Sequence, residues 1–219
     1  MPLDAERSAD EDLAHRRPLK SRGTGWAQGV VRILLKTAIT PNMISVFGIA
    51  FAGIGAAAMV FADRSGWLWL VAAVGIQLRL LANMLDGMVA VEGGRGSPTG
   101  PVFNEVPDRV EDTLLLVAAG FAAGCETLGW VAALLAMLTA YIRVLGGSFG
   151  LAQDFRGPMA KPHRMAMLTA ASVAEFLQWW FGIHYSVMLF TLAAIVLGAA
   201  VTATRRTMRI AALLRGETV

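Results

Sequence analysis

Two short polar segments of this sequence could do chemistry together. The first contains Asn83 and Asp86, and the second contains Asn104, Asp108 and Asp112. The spacings of three residues in the first segment and four in the second place each set on one face of a helix. Carboxylate and amide oxygens without a nearby Cys or His favour a hard cation, Mg²⁺ or Mn²⁺, over zinc. Such cations often hold phosphates in phosphoryl-transfer sites.

A glycine-rich stretch separates the two polar segments. Its members are Gly87, Gly93, Gly94, Gly96 and Gly100. Glycine tolerates backbone conformations that other residues avoid, so the chain can double back here. We therefore expect two neighbouring helices that bring their oxygen atoms to a common site.

The types and spacing of these residues resemble the signature of the CDP-alcohol phosphatidyltransferase family, D-x2-D-G-x2-A-R-x8-G-x3-D-x3-D. Five positions match it at the right spacing: Asp86, Gly87, Ala90, Gly100 and Asp108. The match is specific because both the residue types and the long interval between the two halves agree.

Three positions depart from the family signature. Asn83 and Asn104 stand where the family has Asp, and Val91 stands where it has Arg. An Asn side chain still offers a carbonyl oxygen as a ligand, but two negative charges are lost. A neighbouring acid could restore some of that charge, and the candidates are Glu105, Glu111 and Asp112. Asn104 could instead be a helix cap.

The resemblance implies a membrane enzyme that transfers a phosphatidyl group from CDP-diacylglycerol to the hydroxyl of a small alcohol and releases CMP. The implied metal ligands are Asn83, Asp86, Asn104 and Asp108. Asp108 would also be the catalytic general base. The residues that leave room for the CDP-lipid would be Gly87, Ala90 and Gly100.

The acceptor site implied by the resemblance uses cationic residues of the fourth span and the connector after it. The matching residues here are Arg143 and Lys161, and the neighbouring Arg164 is expected to join them around the acceptor phosphate. A cationic site favours a phosphorylated acceptor. We expect glycerol 3-phosphate first, with inositol phosphate as the nearest rival. A homodimer is implied by the resemblance alone.

The composition is that of a membrane protein. The chain has 219 residues, of which 56% are hydrophobic and 16% charged. Long apolar runs predict an all-α integral membrane protein with six transmembrane helices and a preceding interfacial amphipathic helix. The expected spans are about 42–62, 67–85, 108–124, 128–146, 165–181 and 185–204.

Charge distribution predicts how these parts are arranged. We expect a cytoplasmic polar tail over 1–23, the amphipathic helix over 24–37, the six-span domain over 38–206 and a cytoplasmic tail over 207–219. Among the Lys and Arg residues only Arg64 falls in an outer loop, so the positive-inside rule places the site and both termini in the cytoplasm. This predicts a bacterial-type inner-membrane protein with membrane lipids as partners.

Alternatives remain open from the residues alone. The missing charges also fit a family member that binds CDP-lipid and metal but turns over poorly. A small-solute transporter is a third hypothesis, although its ionisable residues would lie near the bilayer midplane. Arg79 could snorkel towards the interface or contact a phosphate or carboxylate within the bundle. In the polar tail over 1–23, acidic residues are interspersed with the basic ones, so no nucleic-acid partner is expected.

Overall fold

The computed structural model describes residues 24–183 and 185–217, which form a bundle of α-helices. The seven helices of this part of the chain are α1 (Gly25–Leu34), α2 (Pro41–Val60), α3 (Trp67–Glu92), α4 (Gly100–Ala122), α5 (Glu126–Ser148), α6 (Lys161–Phe181) and α7 (Val187–Leu214). The expected polar tail over 1–23 lies outside the described residues.

Four of these helices are long and apolar enough to cross a membrane, judged by length and composition: α2, α3, α5 and α7. Helices α4 and α6 have comparable lengths of 23 and 21 residues but carry buried charged side chains. Those charges lower the mean hydropathy of both helices. The arrangement of six spans therefore stays a prediction.

Helices α2 and α3 pack antiparallel and approach each other very closely. A Cβ atom added at Gly75 would lie 2.8 Å from the Cα atom of Gly55, closer than side chains tolerate. Towards the other end of the same contact, Ser45 of α2 meets Asp86 of α3. Small residues allow such backbone approach between membrane helices. This contact fixes the α3 face that carries Asn83 and Asp86.

A second close contact joins α4 to α5. A Cβ atom at Gly120 would lie 2.6 Å from the Cα atom of Gly129. Gly124 does not take part in this contact, and a Cβ atom there would meet nothing within 4 Å. Its φ of 65° places it in the turn after α4, where glycine meets no steric penalty.

Several helix boundaries differ from the predicted ones. Helix α4 begins at Gly100 and includes Pro107, whereas the sequence placed the start of this span at Asp108. Proline breaks one helical hydrogen bond without always ending the helix. Helix α7 continues to Leu214, so the first part of the expected tail over 207–219 is helical.

Helix α1 lies where the amphipathic helix was expected. It buries Ala27 and Val31, while Trp26 and Ile33 are exposed. The connection between α1 and α2 is held by Arg95 of the glycine-rich segment, which donates hydrogen bonds to the carbonyl oxygens of Leu35, Thr37 and Ile39 at 2.9, 3.0 and 3.1 Å. The position of α1 in a membrane interface stays a prediction.

Candidate functional site

The two halves of the predicted site meet between α3 and α4. Asn83 Nδ2 donates a hydrogen bond of 2.5 Å to Asp108 Oδ1 and another of 3.0 Å to Glu111 Oε2. Because both acceptors are carboxylate oxygens, the amide nitrogen of Asn83 must face them and its Oδ1 must point elsewhere. The structure therefore brings Asn83 and Asp108 together, as their spacing in the sequence predicted.

Asp86 lies one turn beyond Asn83 on the same face of α3 and is 5% exposed. Its carboxylate accepts hydrogen bonds from the Ser45 hydroxyl at 2.6 Å and from the Gly87 backbone N–H at 2.5 Å. Asp86 and Asp108 are close enough to interact electrostatically. Two like charges in a buried site repel, so a cation between them would relieve the repulsion.

Asn104 is the outlying member of the four predicted metal ligands. Its side chain is exposed and makes no hydrogen bond within the described part of the chain. It is not a helix cap, because α4 begins at Gly100 and its N-cap is Thr99. It lies one turn before Asp108 on the face that carries Asp108.

Arg79 joins the site by contacting carboxylates within the bundle, which was one of the two interpretations of this residue. It is fully buried, and its Nε donates to Glu111 Oε2 at 2.5 Å while its Nη2 donates to Asp112 Oδ1. Nη2 also lies 4.0 Å from Asp108 Oδ1. The snorkelling interpretation of Arg79 is therefore wrong, because the side chain turns into the bundle. Arg79 precedes Asn83 by four residues, a spacing that could have placed it on the same face.

Two further cations come from the start of α6. Lys161 Nζ donates to Asp108 Oδ1. Arg164 is 2% exposed and donates to Asp112 Oδ2 at 2.8 Å and to the Met159 carbonyl at 2.9 Å. Both were predicted to bind the acceptor, and in this structure both contact carboxylates of α4.

Arg143 near the end of α5 lies at the edge of the same cluster. Its Nη2 donates to Glu105 Oε1 at 2.5 Å, and its Nη1 donates to Gln153. The guanidinium carbon lies 5.2 Å from the centre of the Phe155 ring, within cation–π range. Glu105 is one-third exposed, so this pair borders solvent and can be reached by a ligand.

The predicted CDP-lipid positions lie on both sides of the glycine-rich turn. Gly87 and Ala90 are on α3 and are half-buried, and Gly100 opens α4. A Cβ atom at Gly100 would meet only Ser97 Oγ, at 3.8 Å. The space beside Gly100 is therefore open in this structure.

The donor set differs from a site made only of acids. Within residues 24–183 and 185–217, no group of three or more His, Cys, Asp or Glu side chains is arranged to hold a metal ion. The reason is chemical, because two of the four signature positions are amides and several acids pair with Arg79, Lys161 and Arg164. The remaining oxygen donors, amide and carboxylate, fit a hard divalent cation.

Comparison with known proteins gives a consistent result. No protein-family model matches the sequence. The phosphatidylinositol phosphate synthase of Mycolicibacterium smegmatis is 29% identical over 180 residues, which are 76% of this chain and 78% of that protein. A crystal structure of the Mycobacterium tuberculosis phosphatidylinositol phosphate synthase in complex with manganese and citrate superposes with a TM-score of 0.70, at 20% identity over 84% of this chain and 88% of that one. These similarities support the resemblance to the CDP-alcohol phosphatidyltransferase family that the signature residues indicated.

A second crystal structure of the M. tuberculosis enzyme, with CDP-DAG bound, has a TM-score of 0.68 at 17% identity, over 84% of this chain and 92% of that one. The fold of this chain is thus that of the two solved structures. Its apolar helices and its relatives identify it as an integral membrane protein.

Glu175 of this transferase had no interpretation from the sequence. Its Oε1 accepts the backbone N–H of Met188 at 2.8 Å, and Gln178 Nε2 donates to its Oε2 at 3.3 Å. Met188 is the second residue of α7, where backbone N–H groups lack helical partners. Glu175 therefore caps α7 from a neighbouring helix, which no local sequence signal indicates.

Proposed function

We propose that this protein transfers a phosphatidyl group from CDP-diacylglycerol to inositol phosphate and releases CMP. The contact between Asn83 and Asp108 carries the proposal, because it joins the two halves of the family signature in one buried site. The named activity of the relatives supports the same reaction.

The choice of acceptor differs from the expectation drawn from the sequence. From the sequence, glycerol 3-phosphate was the first choice because the connector between the fourth and fifth expected spans is cationic. The relatives are phosphatidylinositol phosphate synthases, which favours inositol phosphate instead. Both acceptors carry a phosphate, so cationic residues alone could not distinguish them.

The ligands proposed for a divalent cation are Asn83, Asp86, Asn104 and Asp108. Mg²⁺ and Mn²⁺ both suit these oxygen donors, and the manganese complex of the M. tuberculosis relative supports a divalent cation. When bound, the cation would stabilise the negative charge of the diphosphate and of the departing CMP.

Asp108 is the proposed general base. The acceptor hydroxyl gives its proton to the Asp108 carboxylate, and its oxygen forms a bond to the phosphorus that bears the diacylglycerol group. The bond from that phosphorus to the CMP oxygen breaks, and CMP leaves with the electron pair. Lys161 lies beside this base, because its ammonium group donates a hydrogen bond to Asp108 Oδ1.

Lys161 and Arg143 are the proposed partners of the acceptor phosphate. Arg143 borders solvent beside Glu105, and Lys161 lies beside the base. An acceptor whose phosphate binds the Lys161 ammonium group would place its hydroxyl groups next to Asp108. Arg164 is buried against Asp112 and would act behind Lys161, by holding α6 against α4.

The CDP-lipid would lie along Gly87, Ala90 and Gly100, where small residues leave space. We also propose six membrane-crossing helices with the site and both termini in the cytoplasm, in a bacterial-type inner membrane, and assembly as a homodimer. These parts rest on the charge distribution and on the family resemblance.

The test is a CMP-release assay on the purified full chain in detergent with CDP-diacylglycerol and either Mg²⁺ or Mn²⁺. The acceptor panel contains inositol phosphate, glycerol 3-phosphate, inositol and serine. We expect release with inositol phosphate that stops when EDTA is added. CMP release with glycerol 3-phosphate alone would overturn the proposal of inositol phosphate as the acceptor. No CMP release with any acceptor would overturn the proposed activity.

A further inference from the structure

We propose that Glu111 supplies a carboxylate ligand to the divalent cation and thereby replaces the charge that Asn83 lacks. Glu111 lies outside the family signature, three residues beyond Asp108. The inference rests on the proposed function, since it names an additional ligand for the same site.

The first observation is the unequal use of the two Glu111 oxygens. Oε2 accepts hydrogen bonds from Arg79 Nε at 2.5 Å and from Asn83 Nδ2 at 3.0 Å. Oε1 is buried and has no hydrogen-bond partner among the described residues. The whole side chain is 0% exposed, so water does not reach this oxygen from the surface. A buried acceptor without a partner is costly and requires an explanation, such as a bound ion.

The second observation is where the Oε1 atom points. A Cβ atom built at Gly48 of α2 would collide with Glu111 Oε1 and would lie 3.4 Å from Asn83 Oδ1. Both oxygens therefore lie next to Gly48, where the Cβ atom of any other residue would collide with Glu111 Oε1. The Oδ1 atom of Asn83 accepts no hydrogen bond from the described residues, because its amide nitrogen makes both contacts of that side chain.

Asp86 brings a third oxygen group one helical turn further along the contact between α2 and α3. Ser45, which donates to Asp86, lies one turn before Gly48 on α2, and Asp86 lies one turn after Asn83 on α3. Because the two helices run antiparallel, the Ser45–Asp86 pair and the Gly48–Asn83 pair lie one helical turn apart along the interface of α2 and α3. Two carboxylates and one amide oxygen are a ligand set that Mg²⁺ and Mn²⁺ accept.

The residue types at positions 83 and 111 are matched to each other. The Asn83 amide nitrogen donates to Glu111, whereas an Asp at position 83 would place a second carboxylate against it. Without a cation, the two acids would repel. Asn83 therefore holds Glu111 in place and still leaves one oxygen for the cation. The negative charge that the family signature has at position 83 of α3 is supplied here by Glu111 of α4.

The test measures Mn²⁺ binding to the full chain in detergent, without lipid substrate, by the electron paramagnetic resonance signal of free Mn²⁺. The variant is Glu111→Gln. Its matched control is Glu175→Gln, which removes another internal carboxylate on α6, about 21 Å along the helix from Lys161 at 1.5 Å per residue. We expect Glu111→Gln to weaken Mn²⁺ binding about 10- to 100-fold. The control should keep the affinity of the parent protein.

A second variant guards against loss of folding, because Glu111→Gln also disturbs the bond to Arg79. Gly48→Ala leaves every ligand and ion pair in the chain, and the atom it would meet first is the end of the flexible Glu111 side chain. It should fold, as judged by gel filtration, and should bind Mn²⁺ more weakly than the parent. Parent-like affinity in folded Glu111→Gln, or in Gly48→Ala if the first variant is unfolded, overturns the proposal.

The CMP-release assay separates this inference from the proposed function. If the parent releases CMP with a metal requirement but folded Glu111→Gln binds Mn²⁺ normally, the role of Glu111 fails and the activity stands. If Mn²⁺ binding depends on Glu111 while no acceptor yields CMP, the activity fails and the metal ligand stands.

Discussion

Asn83 Nδ2 donates a hydrogen bond of 2.5 Å to Asp108 Oδ1, across the contact between α3 and α4. The chain needs 25 residues, including the glycine-rich turn, to bring these two side chains together. An amide can donate to a carboxylate, whereas two carboxylates at this distance would need a cation between them. The site is therefore joined by a hydrogen bond even before a metal ion binds.

Asp108→Asn is expected to abolish most CMP release. The amide cannot accept the proton of the acceptor hydroxyl, and loss of a general base costs about 10²- to 10⁴-fold in rate. The measurement is the initial rate at saturating CDP-diacylglycerol and acceptor. The control is Glu126→Gln on the exposed first turn of α5, which should keep the parent rate. Near-parent turnover in Asp108→Asn would remove Asp108 from the mechanism.

Arg79→Ala is expected to destabilise the fold by about 3–5 kcal/mol, because it leaves the buried carboxylate of Glu111 without its cation and Asp112 with Arg164 as its remaining partner. Thermal or denaturant unfolding in detergent, followed by tryptophan fluorescence, measures the change. Arg64→Ala removes an exposed cation and should cost less than about 0.5 kcal/mol. Equal stabilities of the two variants would contradict the buried ion-pair network.

Asn83→Asp is expected to destabilise the metal-free protein by about 1–3 kcal/mol, because a buried hydrogen bond is lost and a carboxylate faces Glu111 and Asp108. Added Mn²⁺ should raise its unfolding temperature by more than it raises that of the parent. Asn104→Asp adds the same charge at an exposed position and should not change metal-free stability. If Asn83→Asp and the parent respond equally to Mn²⁺, Asn83 is not a ligand.

Arg143→Ala is expected to raise the KM for inositol phosphate about tenfold or more, since a charge-assisted bond to phosphate is lost. The KM for CDP-diacylglycerol should stay close to the parent value. Steady-state kinetics with each substrate varied in turn measures both constants. A rise in both constants, or in the lipid constant alone, would place Arg143 outside the acceptor site.

Gly75→Ala is expected to destabilise the protein by about 1–3 kcal/mol, because its new methyl group would overlap the backbone of α2 at Gly55 and Phe51. Gly53→Ala is the matched control on the same pair of helices, since a Cβ atom there meets nothing within 4 Å. Alanine's better helix propensity makes a small gain the expected result for the control. The measurement is the unfolding midpoint of each variant, and similar midpoints would refute the close contact.

The sequence predicted the parts of this site that follow from local spacing. Asn83 and Asp86 share a face of α3, and Asp108 lies on the facing side of α4, as their intervals required. Pro107 misled the prediction of the α4 start, because a proline near a helix end usually marks its first turn. Here it lies inside the helix, and Asn104 lies in the second turn.

The ionic partners of the site depend on tertiary packing and could not be predicted in the same way. Arg79 pairs with Glu111 and Asp112 only because the α3–α4 register places them at one level. Glu175 caps a helix to which it is not adjacent in the sequence. In both cases a charge within an apolar segment signalled that a partner exists, but the sequence did not identify that partner.

The three hydrogen bonds of Arg95 to the connection between α1 and α2 have a mechanical consequence. The turn that sets the spacing of Asp86 and Asp108 cannot shift without pulling the end of α1 with it. A helix at the lipid surface responds to membrane curvature and lipid composition. If α1 lies there, as its pattern predicts, bilayer stress would be transmitted through Arg95 to the spacing of the two carboxylates.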